Sequence, residues 1–223
     1  MEKYILIACE ESQEVCKAFR ELGFIAYSCD LQRTNGNPQW HLLGDAIKAM
    51  EQRTGITQAG ETIAVPRWDL IIAHPPCTYL CRSGERWFDV GKYGDKALQR
   101  LEDRKKAFDF FMRFANSDCP RIAIENPIGY VSTHYRKPDQ IIQPWQFGHE
   151  ASKATCLWLK NLPKLKPTDI VSKGEFVQFP NGGRMSKWYA EAFYLKPRER
   201  AKVRSKTFHG IALAMARQWG EIL

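Results

Sequence analysis

Asp69-Leu70-Ile71-Ile72-Ala73-His74-Pro75-Pro76-Cys77-Thr78-Tyr79-Leu80-Cys81 is the stretch whose reading decides the fold. Leu70 to Ala73 is an unbroken apolar run with an acid in front, the pattern of a strand buried on both faces of a parallel sheet. Pro75 and Pro76 end it, because neither can donate to a ladder and each fixes its own φ. The chain then delivers Cys77 to the carboxyl end of a strand, where open α/β sheets bind their ligands. A thiol on a proline-braced turn there is a candidate nucleophile.

Working outward to the N-terminus, Tyr4 to Ala8 is strand-like. Ser12 is expected to cap a helix to about Leu22, with Val15, Ala18, Phe19 and Leu22 on one face. Gly23 ends it, and Phe24 to Cys29 predicts a second strand finishing at Asp30. An acid at the tip of the second strand of a β-α-β unit is placed to hold ribose hydroxyls of an adenosine cofactor. A simple loop cap is an equal reading of Asp30. Leu31 to Gln39 is a polar loop with the turn signal Asn35-Gly36-Asn37-Pro38, and Gly44-Asp45 opens a helix through Met50. Thr54 to Gly60 is turn-like, and Glu61 to Val65 is a short strand or a connection.

Toward the C-terminus, Leu80 to Asp95 lacks a clear period and predicts a mobile loop beside the thiol, which either folds over a substrate, with Arg82 and Arg86 as candidate contacts, or is an ordinary surface connection. Asp95 is expected to cap a long helix to about Asn116 whose core stripe is Leu98, Leu101, Phe108, Phe111, Met112 and Ala115. Arg121 to Pro127 is another apolar strand, ending in Glu125-Asn126. Thr155 to Leu159 is a later strand and Phe208 to Trp219 a final helix. Asn161 to Arg204, with Pro180-Asn181-Gly182-Gly183, reads as irregular.

The 223 residues suit one α/β domain over 1–223, with a small basic irregular segment at about 161–206. No apolar run approaches the roughly 18–20 residues that span a bilayer, and the N-terminus carries no signal-peptide pattern, so a cytoplasmic location is expected. Seven cysteines without a C-x-x-C pair fit reduced thiols. The net charge of +8 makes a polyanion partner plausible. Between Lys153 and Lys206 basic residues far outnumber acids, and Trp188, Tyr189, Phe193 and Tyr194 are interleaved, which suits a nucleic-acid surface. The bland alternative is a solvated basic face.

The β-α-β start, Pro-Pro-Cys after one strand and Glu-Asn after a later one together resemble the C5-cytosine DNA methyltransferase family. The likeness is carried by Pro76-Cys77 with Cys81 and Gly84 in register, and by Glu125-Asn126, followed by Pro127 where the family prefers valine. Gly23-Phe24, Asp30 and Gly44-Asp45 match in spacing, and Gly210-Ile211-Ala212 matches faintly. The resemblance implies a Rossmann-like class I methyltransferase sheet flanked by helices, S-adenosyl-L-methionine as cofactor, and DNA as partner. It implies catalytic roles for Cys77, Glu125 and Asn126. Cofactor contacts would come from Glu10, Glu11, Ser12, Asp30, Asp45 and Pro75, and substrate contacts from Pro76, Lys153, Arg82 and Arg86. The chain departs from the family in its cofactor loop, Cys9-Glu10-Glu11-Ser12-Gln13-Glu14, which lacks a glycine. An acid there is expected to pair with the cofactor's ammonium group. The late arginine-rich motif is reduced to Lys153, and the recognition region is small.

In the implied chemistry a thiolate adds to carbon 6 of the pyrimidine and activates carbon 5. Glu125 hydrogen-bonds or protonates nitrogen 3, a role that favours a carboxyl raised by burial. Asn126 fixes local geometry. No metal is expected: Cys77 to Cys81 is one residue longer than the deaminase P-C-x-x-C spacing, and His74 reads as a residue that supports a site residue or packs, rather than as a ligand. A non-catalytic nucleic-acid-binding protein on a degenerate fold, and the same chemistry on RNA or a free pyrimidine nucleotide, are the alternatives.

Overall fold

The computed structural model describes residues 2–180 and 182–223, so Asn181 of the expected turn lies outside the described residues. Its centre is a seven-stranded sheet. The strands are β1 (Tyr4–Ala8), β2 (Ile25–Asp30), β3 (His41–Leu43), β4 (Leu70–Ala73), β5 (Ile122–Pro127), β6 (Gln140–Ile142) and β7 (Thr155–Lys160). Their order is β3-β2-β1-β4-β5-β7-β6. The first five are parallel, and β7 runs antiparallel to β5 and β6. This is the expected Rossmann-like sheet of the class I methyltransferase type, with helices on both faces.

The strands alternate between two cores, as the period of two requires. Leu6, Ile71, Ile122 and Ile124 face one way, toward α2 (Ala46–Gln52) and α3 (Asp95–Ala115). Ile5, Ile7, Leu70, Ile72 and Ala123 face the other, toward α1 (Glu14–Glu21) and α5 (His209–Gly220). Asp69 locks the β1–β4 register at its base: its buried carboxylate accepts from the Tyr4 N–H at 3.0 Å and from Arg67 at 2.8 Å. Gly210, in the first turn of α5, allows a close backbone approach, since a Cβ there would lie 1.8 Å from the Phe147 carbonyl oxygen.

Several local expectations differ from the structure. Ser12 does not cap α1; the helix begins later, after Gln13 in the left-handed region, and the Glu10 carboxylate takes the N–H groups of Val15 and Cys16. A carboxylate from the preceding loop outcompeted the local hydroxyl for those donors. Leu22 lies beyond the helix and is exposed. Asp95 is the first residue of α3, after Gly94. The buried stripe of α3 is Ala97, Arg104, Phe111 and Phe114, while Leu98 is exposed. Strands β3 and β6 were not expected; each has only three residues. Glu61 to Val65 belongs to a small hairpin pairing Thr54–Ile56 with Thr62–Ala64. The segment read as irregular contains a hairpin, Phe176–Gln178 with Arg184–Ser186, and α4 (Pro197–Ser205).

The loop beside the thiol is structured as well. Arg82–Phe88 forms a 3₁₀ stretch and Val90–Tyr93 a helical turn. The organiser is Arg104 of α3, which donates to the Tyr79 carbonyl at 3.1 Å and to Glu85 at 2.9 Å. Its guanidinium also lies 3.2 Å from the Phe88 ring centre. Only a planar fork serves all these contacts. Arg104→Lys is therefore expected to cost about 2 kcal/mol, lowering the melting temperature by roughly 4–8 °C. A thermal melt unchanged from the parent would show that the loop is held otherwise.

Candidate active site

The strand order reverses between β1 and β4, which continue to opposite halves of the sheet. The crevice at the carboxyl ends of such a pair is where α/β sheets bind ligands. Residues from β1, β4 and β5 meet there. The register Ala73↔Ile124 makes His74 and Glu125 the next neighbours. The His74 ring Nδ1 lies 3.3 Å from Glu125 Oε2, and both side chains are largely buried. Asn126, buried, donates from Nδ2 to the Pro75 carbonyl at 2.9 Å. The turn after Cys77 is zipped to the turn after Asn126 by Tyr130 N–H to the Leu80 carbonyl, 2.8 Å, and Arg82 N–H to the Ile128 carbonyl, 3.1 Å. Thus the Pro-Pro-Cys and Glu-Asn motifs, about fifty positions apart, form one unit.

Cys77 is exposed at the turn that follows β4. Desolvation first, then the Glu125 carboxylate and Cys81, push the thiol up to about 11, with Lys153 pulling it down. Burial alone would raise Glu125, but the His74 hydrogen bond and Lys153 outweigh it, and the carboxyl lies below its ordinary value. This corrects the expectation of a raised carboxyl: the His74 hydrogen bond and the nearby Lys153 favour its charged form over the effect of burial. Of the two roles expected for His74, supporting a site residue or packing, its contact with Glu125 gives it the first.

The other expected residues are distributed as follows. Pro75 is buried, Pro76 exposed. Lys153 reaches the site, lining a small cavity with His74, Glu125 and Thr155, and its Nζ donates to the Arg204 carbonyl at 3.0 Å. Arg82 and Arg86 are exposed on the neighbouring loop, with Arg86 over the Trp87 ring. Glu10 is buried as the α1 cap and raised by desolvation. Glu11 pairs with Lys202 at 2.7 Å. Ser12 is half-buried at the loop. Among the described residues no group of three or more His, Cys, Asp or Glu could hold a metal ion.

The donor set can be tested against S-adenosylmethionine. Asp30 is half-buried, accepts from the Gln32 N–H at 2.8 Å, and is raised mainly by desolvation. A carboxylate in that state gains from hydroxyl donors, which a ribose diol supplies. Leu31, 79% exposed, offers an apolar surface beside it, and Asp45 caps α2 at the same rim. Glu11 offers a carboxylate to an ammonium group, at present that of Lys202. These residues fit the cofactor, whereas the α1 N–H groups that a glycine-rich loop would leave open are taken by Glu10.

No family model and no curated protein matches this chain. Among solved structures it is similar to a candidate DNA modification methyltransferase encoded within a prophage of E. coli, at 14% identity and a TM-score of 0.48, over 77% of this chain and 52% of that one. It is also similar to an Entamoeba histolytica methyltransferase, at 12% identity and a TM-score of 0.41, over 77% of this chain and 58% of that one. The chain spans a little over half the length of each. Among the described residues, no helix is long and apolar enough to cross a membrane.

Proposed function

We propose that the protein transfers a methyl group from S-adenosylmethionine to carbon 5 of cytosine in DNA, through a covalent adduct of Cys77 at carbon 6. The observation that carries this reading is the joining of the thiol turn to Glu125-Asn126 through the Asn126–Pro75 hydrogen bond. Cys77 as thiolate adds to carbon 6 while Glu125 delivers a proton to nitrogen 3, so electron density collects at carbon 5. S-adenosylmethionine, when bound, supplies an electrophilic methyl group, and Asp30, Asp45 and Glu11 are the residues that would hold it. After methylation, loss of the carbon 5 proton expels Cys77. Asn126 holds the turn rather than reacting. A base in a duplex must first be flipped out, a cost of about a few kcal/mol that phosphate contacts from Lys153, Arg82, Arg86 and the basic segment offset.

Labelled methyl transfer assayed in parallel on duplex DNA, RNA and dCMP tests this. Label on DNA cytosine is expected; label confined to RNA or dCMP would keep the chemistry and replace the substrate. The Glu10 cap on α1, in place of a glycine-rich loop, favours a second reading, a non-catalytic nucleic-acid-binding protein. Calorimetric titration with S-adenosylmethionine separates the two, since complete absence of binding leaves only the second.

A further inference from the structure

We infer that the basic segment from Pro197 to Phe208 is a lid latched over the cofactor site, and that nucleic-acid phosphates release it. The inference rests on the methyltransferase reading above. Helix α4 buries no residue, so apolar packing holds only the Phe208 end of the segment, not the helix itself. Charge does. Lys202 Nζ lies 2.7 Å from Glu11 on the loop after β1, and Lys206 Nζ lies 3.0 Å from Glu14 at the start of α1. Lys153, from beside β7, adds its bond to the Arg204 carbonyl.

Beneath this latch Thr207 and Phe208 close the space over His74, Glu125 and Lys153, leaving a cavity of about 10 Å³. That is room for about one water, whereas small-molecule sites measure roughly 300–1,000 Å³. The closed arrangement therefore leaves no room for a target base against Glu125, and the Lys202 ammonium holds the carboxylate that the cofactor's own ammonium would take. It also leaves buried polar atoms unpaired: His74 Nε2 in the cavity wall, and Nε1 of Trp188, whose ring packs against Phe208. Opening gives both access to partners.

The latch is suited to a polyanion. Lys202 and Lys206 remain 38% and 54% exposed at the side chain, so phosphate oxygens can reach the ammonium groups and compete with Glu11 and Glu14. Lys196 and Arg198 stand exposed at the start of the same helix and extend the basic surface. Ion pairs this exposed are weak and salt-screened, so modest competition releases them. Nucleic acid and cofactor then bind cooperatively, each raising the other's affinity by the same factor.

The test is a binding cycle on the full chain. Affinity for S-adenosylmethionine is measured by calorimetry with and without a saturating cytosine-containing duplex, for the parent and for the Lys202→Gln/Lys206→Gln variant. The duplex is expected to tighten cofactor binding in the parent by at least about fivefold. The variant is expected to bind the cofactor without DNA as tightly as the DNA-saturated parent. Independently of any ligand, amide exchange across 198–206 should quicken as salt is raised, while that of α3 stays unchanged. Cofactor binding that ignores DNA in the parent, or is no tighter in the variant, overturns the lid while leaving the methyltransferase reading intact. No cofactor binding under any of these conditions overturns both.

Discussion

Replacing Cys77 by alanine is expected to lower methyl transfer by on the order of 10⁴-fold or more, while cofactor binding and folding stay as in the parent. The first half follows from the chemistry: without addition at carbon 6, carbon 5 has no electron density with which to take a methyl group. The second follows from the position of the residue. Cys77 is exposed at a turn fixed by backbone and Asn126 contacts, none of which uses the thiol. Its loss should change stability by no more than about 0.5 kcal/mol. Cys77→Ser should be nearly as inactive, since an alkoxide is far harder to form than a thiolate. A duplex carrying 5-fluorocytosine gives the positive counterpart, because fluorine at carbon 5 cannot leave as a proton. The parent should stall on it as a covalent complex of added mass, and Cys77→Ala should not. Transfer by Cys77→Ala within tenfold of the parent would remove the covalent mechanism.

The sheet was legible where strands are long and apolar. Tyr4–Ala8, Leu70–Ala73 and the apolar start of Ile122–Pro127, residues 122–124, declare themselves because burial on both faces there leaves no room for polar residues. His41–Leu43 and Gln140–Ile142 are edge strands of three residues, held mainly by their neighbours' ladders, and no periodicity can appear in so short a run. The thiol and the carboxylate were legible for a related reason: each follows a readable strand, and parallel neighbours bring their ends together. What surrounds them was not. Lys202 and Lys206 lie nearly two hundred positions from the acids they meet, and nothing in a basic, apolar-poor helix announces its partner. Ser12 was misassigned because a local hydroxyl is the default cap, and Glu10 reaches the same N–H groups from across the turn.

Lys153 and His74, which stand beside the thiol and the carboxylate, set the protonation logic of the site, and with it the expected pH dependence. The addition step needs Cys77 as thiolate and Glu125 as neutral acid. In the closed structure the reverse holds, with the thiol raised to about 11 and the carboxyl below its ordinary value. The two states contain the same number of protons. One proton sits on sulfur at rest and on Glu125, or on nitrogen 3 through it, in the reacting form. The ratio between them is then independent of pH wherever the pair holds one proton, from the Glu125 titration up to about 11. The parent should accordingly show kcat/KM that is flat between about pH 6 and about pH 9.5. Glu125→Gln breaks the count. Its rate at neutral pH should fall by about 10²–10⁴-fold, and should climb roughly tenfold per pH unit as the thiolate alone becomes limiting. Loss of the Glu125 charge also removes one influence raising the thiol, so this climb should end at a lower pH than the Cys77 titration of the parent. Single-turnover rates on duplex DNA across that range decide the matter. A parent profile that itself rises tenfold per unit would mean that Glu125 never carries the proton, and that the thiolate is formed by exchange with solvent.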